Sequence, residues 1–286
     1  MPGSLFLVAT PIGNLEDITL RALRILKDVD LIAAEDTRRT AHLLSHFGIT
    51  TKTTSLHAHN EQRRVPELIA AVAAGLRLAV VTDAGMPAVA DPGYLIIRQA
   101  LDADIEIQII PGVSALTMAL AGSGLPGEEF SFLGFAPSRS AERRRWVTER
   151  VAAERRTVAI FEAPGRIGGL LADLFDVLGD RDVVIARELT KVHESWLRGR
   201  LSDLINPEAE APRERGEYVV LVSAQTARAA DGPTVSDEDV TSCYRKLADH
   251  AGELSRRDIV RQVARTFAIP PKSVYAIIER SKSSVE

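Results

Sequence analysis

The sequence predicts an α/β protein: a mostly parallel sheet covered by helices, then a second, mixed sheet, then a short tail of helices. Through the first 115 residues, short apolar or β-branched runs alternate with segments of helical period, the pattern of strands joined by helical crossovers. From residue 116 to 224 strand-like runs recur with fewer helices between them, so that sheet is mixed. Beyond residue 233 the period is helical.

Taken in order, the strands of the first half are "SLFLVAT" (4–10), "DLIAAE" (30–35), "TTSL" (53–56), "RLAVVTD" (77–83) and "IEIQII" (105–110). Helices are expected near 18–27, 38–46, 61–74 and 93–102, where apolar residues recur every three or four positions. The second half offers "FSFLGF" (130–135), "TVAIFEA" (157–163), "DVVIARELT" (182–190), "ESWLRGRL" (194–201) and "EYVVLVSA" (217–224). Residues 225–233 are small, polar and turn-prone and read as a linker. Three helical segments follow, near 236–249, 255–266 and 271–282, with Pro270 and Pro271 opening the last. The expected division is an N-terminal α/β domain (1–115), a second α/β domain (116–224), the linker, and a C-terminal helical module (234–286) tethered loosely to the rest.

Composition narrows the class. The chain has 286 residues, 45% hydrophobic and 26% charged, which suits one large or two ordinary globular domains. It has neither an apolar run of about eighteen residues nor the layout of a signal peptide, so a cytoplasmic protein without a membrane segment is expected. The single cysteine, Cys243, rules out an internal disulfide and a cysteine-based metal site, and no metal is expected. A net charge of −4 does not by itself indicate a nucleic-acid partner, although local patches can.

The informative residues lie at strand ends. "TPIGNL", "AEDTR" (34–38), "TDAGMPAVADPG" (82–93) and "PGVSA" (111–115) each end a strand of the first half. In an open parallel sheet these ends point to one side, where ligands bind. Four loops rich in glycine, proline and aspartate would thus form a rigid polar rim of backbone amides and carbonyls. By contrast "GSGLPG" (122–127) matches the dinucleotide fingerprint only in letters: a helix precedes it and a strand follows, the reverse of what pyrophosphate binding requires.

The strings "TPIGNLEDITLRAL", "AAEDTR", "LHAHNE", "TDAGMPAVADPG" and "PGVSALTMALAGSGLP", continued by "FLGFAPSR", "FEAPGRI", "ARELTK" and "GEYVVLV", resemble the tetrapyrrole methylase superfamily over nearly the whole chain. They resemble most its branch that methylates a cytidine 2′-hydroxyl in 16S ribosomal RNA. The resemblance implies two α/β domains of the tetrapyrrole methylase type, S-adenosylmethionine (SAM) folded in a cleft between them, a homodimer, and 16S rRNA of the small ribosomal subunit as partner. It also implies that Thr10, Pro11 and Gly13 line the active site, that Asp83, Ala84, Gly85, Ser114 and Ala115 hold the cofactor, and that Phe161 and the strand ending at Glu188 close it from the second domain. Two positions depart from the pattern: Gly165 stands where the family has a histidine, and Met86 where it has a threonine.

Methyl transfer to a ribose hydroxyl needs an acceptor for the hydroxyl proton. A carboxylate among Glu35, Asp36 and Glu188 is expected in that role, each being equally able to cap a helix or hold an ion pair. His57 and His59, a lone H-x-H, read as surface or hydrogen-bonding residues. For RNA, residues 138–166 carry eight arginines against four glutamates, and Arg139, Arg143, Arg144 and Arg145 open a helix. Arg38 lies at a strand end, and Arg256, Arg257, Arg261, Arg265 and Lys272 of the C-terminal helices are further candidates to meet ribosomal RNA. A small-molecule methyltransferase would have no use for these basic parts. A non-catalytic RNA binder would have none for the strand-end loops.

Overall fold

A computed structural model describes residues 3–205, 216–224, 236–250, 255–267 and 269–283; the expected linker at 225–233 lies outside them. The chain forms two compact units, 1–118 with 189–192, and 119–188 with 193–286.

In the first unit the order is β1 (Ser4–Val8), α1 (Leu20–Asp28), β2 (Leu31–Ala34), α2 (Thr37–His46), β3 (Thr53–Ser55), α3 (Glu61–Ala73), β4 (Arg77–Val81), α4 (Tyr94–Asp102), β5 (Glu106–Ile110) and α5 (Ala115–Ser123). The strands lie in the order β3-β2-β4-β1-β5 and all pairs are parallel. Side chains alternate across the pleat, so β1 sends Phe6 and Val8 to one core with Ile25 and Leu26 of α1, and Leu5 and Leu7 to another with Leu68 and Val72 of α3. The chain leaves β1 toward β2 and leaves β4 toward β5, in opposite directions. The switch point therefore falls between the carboxyl ends of β1 and β4.

The second unit contains β6 (Phe130–Phe135), α6 (Ser140–Trp146), β7 (Thr157–Glu162), α7 (Ile167–Leu178), β8 (Asp182–Arg187), β9 (Ser195–Arg200), α8 (Leu201–Leu204), β10 (Tyr218–Val222), α9 (Asp237–His250), α10 (Arg256–Phe267) and α11 (Pro271–Ser283). Its sheet, β6-β7-β10-β8-β9, pairs β6 with β7 in parallel and the rest antiparallel, so it is mixed as expected. Between the units the division falls after Met118, inside α5, rather than after Ala115.

The C-terminal helices differ from the loosely tethered module that the sequence suggests. Val240, Ile259, Val263, Val274 and Ile278 are buried in the same core as Leu170, Leu174 and Phe175 of α7 and Val158, Ile160 and Val220 of the sheet. One continuous apolar core ties them to the second sheet, and burial of several branched side chains at roughly 1.5–3 kcal/mol each outweighs any tether. Both tryptophans, Trp146 and Trp196, belong to this unit and report its unfolding. Ile278→Ala should therefore destabilise the transition followed by tryptophan fluorescence in guanidinium by about 2–5 kcal/mol. An unchanged midpoint would restore the tethered module.

Candidate active site

At the switch point the backbones of Thr10 and Gly85 exchange two hydrogen bonds, 2.9 and 3.0 Å, as an isolated antiparallel bridge. Thr10 is buried, and its hydroxyl donates to the Thr82 carbonyl at 3.0 Å. Gly85 has φ +80°, a conformation that any other residue would hold under strain, and a Cβ there would meet nothing nearer than 3.7 Å. The space beside it is open. Ala88 and Ala90 of the same loop also have positive φ, so this segment holds several costly conformations together, a property concentrated at functional sites.

Three carboxylates gather beside this bridge. Glu35 Oε2 accepts from the Asp83 amide at 3.2 Å, and Asp83 Oδ1 accepts from the Asp36 amide at 3.1 Å. Asp83 Oδ2 stands 3.4 Å from Arg39. Asp36 caps α2: it accepts from the Arg38 amide at 2.8 Å and pairs with the Arg38 guanidinium at 2.7 Å. The Arg38 side chain, followed by its amide, holds the Asp36 carboxyl well below the usual carboxylate range. Asp36 is thus a poor proton acceptor at neutral pH. Glu35 carries only the one bond to a backbone amide among those described.

A cavity of about 90 Å³ opens here, lined by Thr10, Pro11, Leu15, Arg39, Thr40, His42, Leu43, Thr82 and Asp83. The Thr82 hydroxyl is buried with no protein partner among the described residues. Arg39 and Thr40 lie outside the quoted loops, and Thr82, which opens "TDAGMPAVADPG", was not among the expected ligand residues; only the fold brings α2 against the end of β4. Ser114 and Ala115 sit where β5 gives way to α5, with the Ser114 carbonyl accepting from Met118 at 3.0 Å. Gly13 has a different reason to lack a side chain: a Cβ would lie 2.4 Å from Lys191 Cγ and 2.8 Å from Thr190 Oγ1. The 189–192 segment packs there, and Thr190 Oγ1 accepts from the Asn14 amide at 3.0 Å.

In the second unit Phe161 stacks edge-on against Phe132 and Phe135, at 4.8 and 5.5 Å between ring centres. Glu188 has φ +50°, and its Oε1 accepts from the Glu217 amide at 2.9 Å, which fixes the start of β10. Gly165 lies in a short turn of helix where a Cβ would meet no atom within 4 Å, so the family's histidine would fit without a backbone clash. Back in the first unit, His57 and His59 stand 6.0 Å apart between ring centres.

The basic residues divide sharply. Arg143, expected to meet RNA, is instead buried, its Nε donating to Asp173 Oδ2 at 2.7 Å, so it is closed to a phosphate. Helical periodicity turns this one arginine inward against α7. Arg256 is occupied by Glu279 and by the ring of Tyr275. Arg38, Arg139 and Arg145 are exposed, each in an ion pair with a nearby acid, Asp36, Glu142 and Glu149 respectively. Arg144 and Arg257 both face Asp176 from the surface.

Comparison with known proteins agrees with this architecture. The chain belongs to the tetrapyrrole (corrin/porphyrin) methylases, whose family model matches residues 4–205. It is similar to the ribosomal RNA small subunit methyltransferase I of Halalkalibacterium halodurans, 40% identical over 280 residues that cover 96% of this chain and 94% of that protein. The protein of the same name from Thermotoga maritima is 44% identical over 223 residues, 78% of this chain and 99% of that one. Among solved structures, a diphthine synthase shares the fold with a TM-score of 0.63 at 19% identity, over 78% of this chain and 91% of that one.

SAM is the methyl donor that family membership implies. The donor set suits it: carboxylates for its cationic parts, backbone polar groups and the Thr82 hydroxyl for its hydroxyls and amines, and open space beside Gly85. The cavity takes a part of such a molecule rather than the whole, since pockets for ligands of that size run to about 300 Å³ or more. Thr82→Val preserves shape and removes only the unpartnered hydroxyl. It should leave the thermal midpoint no lower and weaken SAM binding by about tenfold in calorimetric titration, the effect of one lost hydrogen bond. Unaltered affinity would remove Thr82 from the site.

Proposed function

We propose that this chain is a SAM-dependent methyltransferase of small-subunit ribosomal RNA, and that the group methylated is the 2′-hydroxyl of a cytidine ribose in 16S rRNA. The observation that carries this reading is the near end-to-end likeness to methyltransferases of that name. SAM, when bound, supplies a methyl group activated by a positively charged sulfur. In this reading Thr10, Pro11, Asp83, Ala84, Gly85, Ser114 and Ala115 hold the donor. Glu35 takes the proton of the hydroxyl. Asp36 keeps its helix cap, and Glu188 its hold on Glu217, so neither is as free to accept a proton.

Positioning supplies much of the rate in such a displacement, and a rigid rim of strand ends suits that task. The exposed arginines on α6 and α10 support an RNA acceptor, whereas a tetrapyrrole acceptor would leave them without a use. The reading includes a homodimer working in the cytoplasm, where ribosomes are made.

Incubation of the protein with labelled SAM and small ribosomal subunits should place label in 16S rRNA, in a cytidine that resists alkaline cleavage at its 3′ side. Label on a base, or none in RNA, would overturn the reading. Glu35→Gln should lower kcat by about a hundredfold or more, the range of general-base catalysis, with SAM affinity nearly unchanged. Asp36→Asn retains a good capping residue and should change kcat by less than about fivefold.

A further inference from the structure

Two aspartates three residues apart on α7 meet arginines in different ways. Asp173 and Arg143 form a short, enclosed pair: 2.7 Å, with both side chains about nine-tenths buried. Asp176 is equally enclosed but stands among three guanidiniums, 3.4 Å from Arg144, 3.7 Å from Arg257 and 3.8 Å from Arg261. The three arginine side chains are 52%, 64% and 31% exposed. These are ion-pair distances, longer than the roughly 2.7–2.9 Å of a charge-assisted hydrogen bond. Asp173 accepts a hydrogen bond from its partner, whereas among the described residues Asp176 meets its three arginines only as ion pairs.

The charges point the same way. Asp258, a second acid near Arg257 and Arg261, is held ionised first by the Ser255 hydroxyl, then by the Ser255 amide and these arginines, so that among the described residues three cations stand against two anions here. Arg261 Nε is buried with no partner among the described residues. Crowded guanidiniums repel one another, and a further anion would relieve that.

We propose that Arg144 of α6 and Arg257 and Arg261 of α10 form a notch for successive phosphates of the RNA backbone, with Asp176 as the post that gathers the three guanidiniums. The proposal rests on the RNA-methyltransferase reading above and assigns the contact to a place where the C-terminal helices meet α6 and α7. Guanidinium forks match phosphate oxygens in pairs. Arg257, Arg261 and Arg265 follow one another at four-residue steps along α10, roughly 6 Å apart along the axis. Such a line fits a chain of anions better than a single small one. Arg143 and Arg256 do not belong to it, being taken by Asp173 and Glu279.

The test uses the full chain and a fluorescent fragment of small-subunit rRNA, with affinity measured against salt. Arg257→Gln combined with Arg261→Gln should weaken binding about tenfold at 0.1 M salt and flatten the slope of log affinity on log salt by about 1.4, two phosphate contacts at roughly 0.7 each. Asp176→Asn, which keeps the shape and removes the central anion, should tighten RNA binding. If the arginines only fasten α10 to α7, Asp176→Asn will lower the thermal midpoint and leave RNA affinity unchanged, which overturns the notch. Should the double variant fail to fold by circular dichroism, Arg144→Gln on the exposed face of α6 carries the same test, with a slope change of about 0.7. Stronger binding to an acidic polypeptide than to RNA would overturn the RNA assignment. Transfer of labelled methyl to rRNA by the unaltered protein is read separately: its absence removes the functional reading, while an unchanged salt slope in folded, active variants removes only the notch.

Discussion

The exchange of hydrogen bonds between Thr10 and Gly85 is the constraint from which the proposed catalytic edge follows. A parallel sheet leaves the carboxyl ends of its strands without a hairpin to close them, so the loops after β1 and β4 have no local reason to keep their distance or register. One two-residue bridge supplies it. Because Gly85 takes φ +80° to reach Thr10, the chain turns at once into the loop carrying Ala88 and Ala90, and Asp83 is left facing the end of β2. The carboxylates of Glu35 and Asp83 then accept hydrogen bonds from backbone amides of each other's loops. Asp83 accepts from Asp36 and donates its own amide to Glu35, so three adjacent strand ends and loops hold one another in place.

Charge in this molecule is sorted by enclosure more than by amount. A total of −4 hides a division between arginines that are spent on the fold and arginines that remain available. Arg143 is the clearest case of the first kind, since removal of one partner of a buried pair leaves an uncompensated charge worth roughly 3–5 kcal/mol. Its sequence neighbour Arg144 is of the second kind, one helix position away and half exposed. The stretch "AERRRW" is therefore not a uniform basic patch. Its arginines point in different directions around α6, and the packing of α7 decides which of them meets water.

What was legible in the sequence was what short-range physics determines. Ten strands and the helices of the first unit are found within a few residues of their expected places, because alternation and helical period survive in "SLFLVAT" or "RALRILKD". The helix α7 was not expected: "IGGLLADLFDVL" is apolar on nearly every side and opens with two glycines, so it shows neither an amphipathic stripe nor a good helix start. Eight of its twelve residues are buried, two of them aspartates, so its apolar positions are not confined to one stripe. The polar rim was visible as four glycine-, proline- and aspartate-rich loops. The true neighbours of Gly13, Thr190 and Lys191, were not, because they lie about 180 residues away and only the fold returns them.

That same helix explains why the C-terminal helices cannot be an independent appendage. One side of α7 packs on the second sheet through residues such as Leu170 and Leu174, and the core continues through Val263, Val274 and Ile278. Asp173 and Asp176 rise from it toward α6 and α10. A single buried element thus sets the position of an apolar interface and of the arginines above it. The apolar contacts fix α10 firmly enough that three like charges can be held around one carboxylate, a loose arrangement that would relax away on a flexible tether. Stability and the proposed RNA contact are carried by different faces of the same few helices, so a change in the core of this unit should be felt at its charged surface.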